Sequence, residues 1–168
     1  MGFLNRWFGD KPASRSNGLP QEGSVVLASG AIDSTLLDEW RWLVATDFAP
    51  VLCTACGDLF LQRADGAVYW LDVANGSLRS AARSGEALDL EARDEARFEE
   101  WFRPSLQREA SSRHGVLSPG ECYSWRSAPG FGGASNAANL VRRSLSDHFA
   151  SHGRAFAAVG RRRDKTMS

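Results

Sequence analysis

Apolar side chains recur along this chain in two rhythms, and the switches between them divide it. Between Ile32 and Thr46 the positions Ile32, Leu36, Leu37, Trp40, Leu43 and Val44 fall at helical spacing, with Asp33 or Ser34 placed to cap the first turn. That stretch predicts a helix. After Pro50 the rhythm shortens to strand-like runs over residues 51–55, 59–62, 68–73 and 78–82. Asp65-Gly66 joins the second run to the third and Asn75-Gly76 joins the third to the fourth, pairs that accept the positive φ of tight turns. Four runs so connected predict an antiparallel meander. From Glu86 to about Arg113 helical spacing returns with Phe98, Trp101, Phe102 and Leu106 on one face, and Pro104 inside it predicts a kink or a restart. The last third predicts a strand over 122–126, a turn at Gly132-Gly133 near the centre of the packing, a strand over 140–144 and a short helix over 147–151. The pattern as a whole predicts an α+β fold, an antiparallel sheet (meander plus later strands) flanked by helices, in a single domain.

The ends differ from the middle. In residues 1–24 the side chains Phe3, Leu4, Trp7 and Phe8 share one helical face, and Pro12, Ser14, Ser16, Gly18, Pro20 and Gly23 then read as a linker. A flexible segment is expected there, docking on its own domain or seeking a membrane or partner surface. The domain proper is expected over 25–159. The stretch 160–168, with Arg161, Arg162, Arg163 and Lys165, reads as a basic, disordered tail without the interleaved aromatics of a nucleic-acid contact.

Composition changes this picture in two places. With 168 residues and 43% hydrophobic content the chain can bury one ordinary core. Its 20 basic and 20 acidic residues cancel, so no global field draws it to nucleic acid or to an anionic membrane. No apolar run approaches a membrane span or a secretory signal, and the three cysteines are expected as free thiols in the cytoplasm. One local field stands out. Residues 86–100 hold seven acidic side chains against Arg93 and Arg97, a charge of −5. This is either an ordinary solvated helix face or a patch for a basic partner surface, with Glu91, Asp94, Glu95 and Glu99 as candidate contacts.

Three constellations have the residue types of a reactive site. Cys53-x-x-Cys56 with His148-x-x-x-His152 has zinc-ligand types, yet residues three apart on a strand face opposite ways and about 90 residues separate the two halves. The cysteine pair also lacks the βαβ setting of a redox motif. Cys122 with His148 would make a nucleophile pair if the imidazole lowered the thiol pKa, although a thiol in mid-strand is more often buried and inert. His148 alone, five residues before Gly153, reads as a histidine that satisfies a buried carbonyl. No catalytic residue, metal or cofactor is expected.

The motifs carry a resemblance. The chain reads Gly57-Asp58-Leu59-Phe60-Leu61, Asp65-Gly66-Ala67-Val68, Leu71-Asp72 and Gly76, and then Gly120-x-Cys122-Tyr123, Pro129-x-Phe131-Gly132-Gly133, Asn139, His148 and Gly153. In this order and spacing, over roughly residues 36 to 158, it resembles the C-terminal domain of bacterial type VI secretion immunity proteins. It departs where relatives tend to have Gly-Gln-Ile and this chain has Gly153-Arg154-Ala155. The resemblance implies a cytoplasmic, non-enzymatic antidote that binds a cognate secreted effector toxin, often a nuclease, and neutralises it by stoichiometric occlusion. The direct partner would be that protein, and nucleic acid would not be touched. Larger relatives carry a further N-terminal domain, for which the residues before 30 are too few. A regulatory or scaffold module of the same fold, or a Cys/His hydrolase, are the competing readings.

Overall fold

The structure is a computed structural model that describes residues 25–26 and 32–166. The Phe3–Phe8 face and the linker after it lie outside the described residues. Five antiparallel strands form the main sheet in sequence order: β1 (Val25–Val26), β2 (Phe48–Thr54), β3 (Leu59–Arg63), β4 (Val68–Asp72) and β5 (Ser77–Ala82). β6 (Glu121–Trp125) and β7 (Leu140–Ser144) pair with each other as a second, two-stranded sheet. The fold is α+β, and the meander has the turns expected of it, with Gly66 and Gly76 at positive φ.

Strand alternation decides what covers each face. On β3 and β4 the paired residues Phe60 and Trp70 point to one side, and the paired Leu59 and Leu71 to the other. Helices α1 (Gly85–Glu91) and α2 (Glu95–Phe102) cover the first side through Leu88, Trp101 and Phe102. Phe60 meets Trp101 edge-on at 5.5 Å and stacks on Phe102 at 5.6 Å. The second side carries the larger core, closed by a 3-10 segment (Ser34–Trp40), the second sheet and the last helix, α4 (Leu145–Thr166). There Trp40 donates its indole N–H to the Phe149 carbonyl at 2.9 Å and ties the 3-10 segment to α4.

Four elements differ from the sequence expectation. The helix expected over 32–46 is a shorter 3-10 segment. Residues three apart eclipse in that geometry, which aligns the fully buried Leu37 and Trp40 in one row. Asp33 does cap it, accepting from the Thr35 N–H at 2.7 Å. Asp33→Ala should therefore lower the urea midpoint of unfolding. The helical run over 86–113 is broken twice. Asp94 starts α2 by accepting from the Arg97 N–H at 2.9 Å, and Pro104 is the first residue of α3 (Pro104–His114).

The helix expected over 147–151 instead runs from Leu145 to Thr166, into the stretch read as a disordered tail. Gly153 lies mid-helix, where the 3-10 segment passes close by. A Cβ at Gly153 would stand 2.7 Å from the Glu39 carbonyl oxygen, too close without a backbone shift. Finally, the Gly132-Gly133 turn is peripheral, with Gly132 exposed. Its tight spot is Gly133, where a Cβ would fall 2.0 Å from the Ser127 carbonyl oxygen. Gly133→Ala should lower the melting temperature by several degrees, on the order of 1–3 kcal/mol.

Candidate functional site

The motif residues of the first run meet those of the second at one end of the main sheet. Gly57 and Asp58 form the turn from β2 into β3, held by the Gly57 N–H donating to the Thr54 carbonyl at 3.0 Å and the Asp58 N–H to the Thr54 hydroxyl at 3.1 Å. Asp58, fully buried, accepts from the Val73 N–H at 2.9 Å, which fastens this turn to the end of β4. Asp72 closes β4, also buried, and accepts from the Asn75 side chain at 2.7 Å.

Between these two carboxylates lies Arg103, which sequence reasoning missed. Its guanidinium approaches Asp58 at 3.0 Å and Asp72 at 3.2 Å, with the rings of Trp70 and Trp125 each 5.9 Å away. Arg103 joins α2 to α3 in the left-handed conformation, φ 49 and ψ 50, the one non-glycine residue with positive φ among those described. The following proline disfavours helical backbone at Arg103, and the bend turns its side chain into the sheet end. Arg79 adds a weaker contact to Asp72 at 3.4 Å from a half-exposed position.

The electrostatics follow from one buried cation shared by two buried acids. Burial pushes the Asp58 carboxyl up to about 7, Asp72 adds to the rise, and Arg103 opposes it. Burial tends to lower the Arg103 pKa, but Asp58 and Asp72 outweigh it and hold the guanidinium charged.

His148, on the first turns of α4, is the second junction. Its Nε2 lies 2.9 Å from the Gly57 carbonyl and its Nδ1 lies 2.9 Å from the Ser124 hydroxyl. A carbonyl can only accept, so Nε2 carries the proton and Nδ1 accepts from Ser124. Burial lowers the His148 pKa to about 3, His152 adds to this, and the ring stays neutral. Gly57 is glycine for this contact: at φ +81 its absent Cβ would sit 2.3 Å from His148 Nε2. His152 follows one turn later and shares a hydrogen bond with the His148 carbonyl at 2.9 Å.

This geometry does not suit the reactive readings. Both ring nitrogens of His148 are engaged, and Ser124, Cys122 and His148 are all fully buried. Burial pushes the Cys122 thiol well above its usual range and the Cys56 thiol up to about 12, and Cys53 rises for the same reason. Among the described residues, no group of three or more His, Cys, Asp or Glu side chains is arranged to hold a metal ion.

The remaining motif residues shape the second sheet and its loop. Tyr123 donates its hydroxyl to the Gly115 carbonyl at 2.7 Å and its backbone N–H to the Ala55 carbonyl at 2.8 Å. The Gly120 carbonyl accepts from the Leu145 N–H, Pro129 opens a short 3-10 turn, and Asn139 holds the glycine loop by donating to the Ser127 and Ala134 carbonyls at 2.7 and 2.8 Å. Gly66 lies in the β3–β4 hairpin turn.

The candidate contact residues lie elsewhere, on the outer side of the layer formed by α1 and α2. Glu91, Asp94, Glu95 and Glu99 are all exposed. Their charge is partly answered within the layer. Arg97 lies 3.7 Å from Glu91, Ser105 donates to Glu99 at 3.1 Å, and Asp94 is used as the cap of α2.

Comparison with known proteins places this architecture. The crystal structure of Atu4351 from Agrobacterium tumefaciens superposes with a TM-score of 0.57 over 80% of this chain and 68% of that one, at 14% identity, which speaks for the fold alone. No curated protein matches by sequence. A family model does match, and it spans the end of β5, the acidic helices, α3, the second sheet and the first turns of α4. Over residues 82–151 the chain matches the model of the family described as T6SS immunity protein Tdi1, C-terminal, and that match supports an immunity function.

Proposed function

We propose that this chain is a cytoplasmic immunity protein that binds a cognate type VI effector toxin, a nuclease, and neutralises it by stoichiometric occlusion through the outer face of α1 and α2. The observation that carries this reading is the family match over 82–151, which includes both acidic helices. The motif residues build the junction at the sheet end, the turns and the loop of the second sheet, so the partner-reading surface is sought among other exposed side chains. The −5 charge of residues 86–100 is the strongest local field available. A nuclease must present a basic cleft to its substrate, and an acidic face opposite such a cleft speeds association and suppresses wrong partners. Glu91, Asp94, Glu95 and Glu99 are the proposed contacts. No helix among the described residues is long and apolar enough to cross a membrane.

A charge-reversal experiment tests the surface. Glu91→Lys, Glu95→Lys and Glu99→Lys together should weaken effector binding by at least about a hundredfold, on the order of 3 kcal/mol, while leaving the melting temperature nearly unchanged. Asp94 is better changed to Ser, which keeps a capping oxygen while removing the charge. Binding by the triple variant as tight as that of the wild type would rule this face out.

A further inference from the structure

Among the described residues two aromatic side chains are left well exposed, Trp42 at 46% and Phe131 at 41%. Neither stands alone. Trp42 stacks on the buried Trp40 at 6.0 Å, Trp40 meets Phe156 at 6.0 Å, and Phe156 stacks on Phe131 at 4.2 Å. The exposed rings are thus the two ends of one row of four, and these contacts place them no more than about 16 Å apart. Val159, also exposed, stands on α4 three residues after Phe156 and so on the same side of that helix. Apolar residues scattered singly over a surface are ordinary, whereas a row of rings running between surface and core marks a surface that something covers.

The topology brings a candidate cover to the same place. Phe156 packs on the turn between β4 and β5, where a Cβ at Gly76 would fall 2.4 Å from its ring. That turn and the turn between β2 and β3 lie at one end of the main sheet. Val25 pairs with Thr54, the last residue of β2, and Val26 pairs with Cys53, so the chain before Val25 leaves the sheet at this same end. Upstream, Phe3, Leu4, Trp7 and Phe8 recur at helical spacing as an apolar face of matching character. The reach is sufficient. From β1 to β4 is three strand spacings, about 14 Å. The Gly-, Ser- and Pro-containing stretch 9–24, as a flexible chain, spans about 20 Å on average. A tether so matched to its span holds the segment at an effective concentration on the order of millimolar, which favours it over a free partner.

We propose that the Phe3–Phe8 segment of this same chain docks on the row of rings between Trp42 and Phe131. The row belongs to the larger core, across the main sheet from α1 and α2, so this docking stands independently of the effector-binding face.

The test uses the full chain labelled with 15N and carrying a nitroxide at Asn5→Cys. Cys53, Cys56 and Cys122 are buried and do not compete for the label. The Trp42 indole resonance is assigned from its loss in Trp42→Phe. With the nitroxide oxidised, the Trp42 indole N–H and the Phe131 and Val159 amides should lose most of the intensity they have when it is reduced. Trp7→Ser with Phe8→Ser in the same labelled chain should restore that intensity. Undiminished intensities, or broadening that persists in the Trp7→Ser, Phe8→Ser variant, would overturn the proposal. A mixture of spin-labelled chain without 15N and 15N chain without the label should show no broadening. Equal broadening in that mixture would put the segment of a second copy on the row, and docking within one chain would be wrong.

Discussion

Arg103→Met is expected to destabilise the protein by about 3–5 kcal/mol, because it leaves two buried carboxylates without their shared cation. Methionine fills much of the same volume, and it occupies the same left-handed backbone, so that strain is common to both proteins and cancels. What remains is the desolvation of Asp58 and Asp72. The loss should depend on pH in a defined direction. The Asp58 pKa is raised in the folded protein from an ordinary value near 3.8 to about 7, so the folded state holds this proton more tightly than the unfolded chain. The stability contributed by that proton is fully present below the unfolded pKa and is lost as pH rises through about 7. Removing the guanidinium raises Asp58 further, so Arg103→Met should be closest to wild type near pH 4 and fall away most above pH 7. Urea unfolding across that range measures it. Asp58→Asn in the Arg103→Met background should restore part of the loss at high pH. A cost under about 1 kcal/mol at neutral pH would mean that the ion triad is not what closes the sheet end.

Gly57→Ala is expected to cost more than about 3 kcal/mol. Left-handed backbone penalises any β-carbon by about 1–2 kcal/mol, and this one also collides with His148. If the ring moves away, the Gly57 carbonyl and the Ser124 hydroxyl each lose a buried partner at about 1–3 kcal/mol apiece. A spectroscopic sign accompanies the loss. In the wild type the folded His148 pKa is depressed to about 3 from an ordinary 6.5, so the unfolded chain binds the extra proton between those values. The stability due to the neutral ring is present above about 6.5 and is lost as pH falls toward 3, opposite in sign to the Asp58 effect. The His148 ring resonances should therefore not titrate between pH 5 and 8 in wild type. In Gly57→Ala the displaced ring should titrate close to 6.5. A variant with full stability and a silent His148 would contradict the junction described above.

The meander was legible because its signals are local. Short apolar runs marked the strands, and glycine at the two hairpin turns fixed the connections, while the separation of Phe60 from Leu59 and Leu61 onto opposite faces came from the structure. The helices were less so. Leu36, Leu37 and Trp40 satisfy helical and 3-10 spacing almost equally over seven residues, and docking on α4 decides between them. The close-approach role of Gly153 within α4 depends on Glu39 far away in sequence. The same non-locality explains the candidate site. His148 as a carbonyl-satisfying histidine was readable from its setting, and the structure supplies the carbonyl, Gly57. Arg103 was not readable, since one arginine among many acquires meaning only when a bend before Pro104 turns it toward Asp58 and Asp72. Its one local mark was its place before a proline inside a helical run.

The most direct test of the immunity reading is co-expression of the chain with the product of the adjacent upstream gene as the candidate effector, followed by size-exclusion chromatography and a viability count. The expected result is a stoichiometric complex and restored growth with the wild type, both lost in the Glu91→Lys, Glu95→Lys, Glu99→Lys variant although that variant remains folded. A wild-type chain that neither associates with the effector nor restores growth would contradict the account.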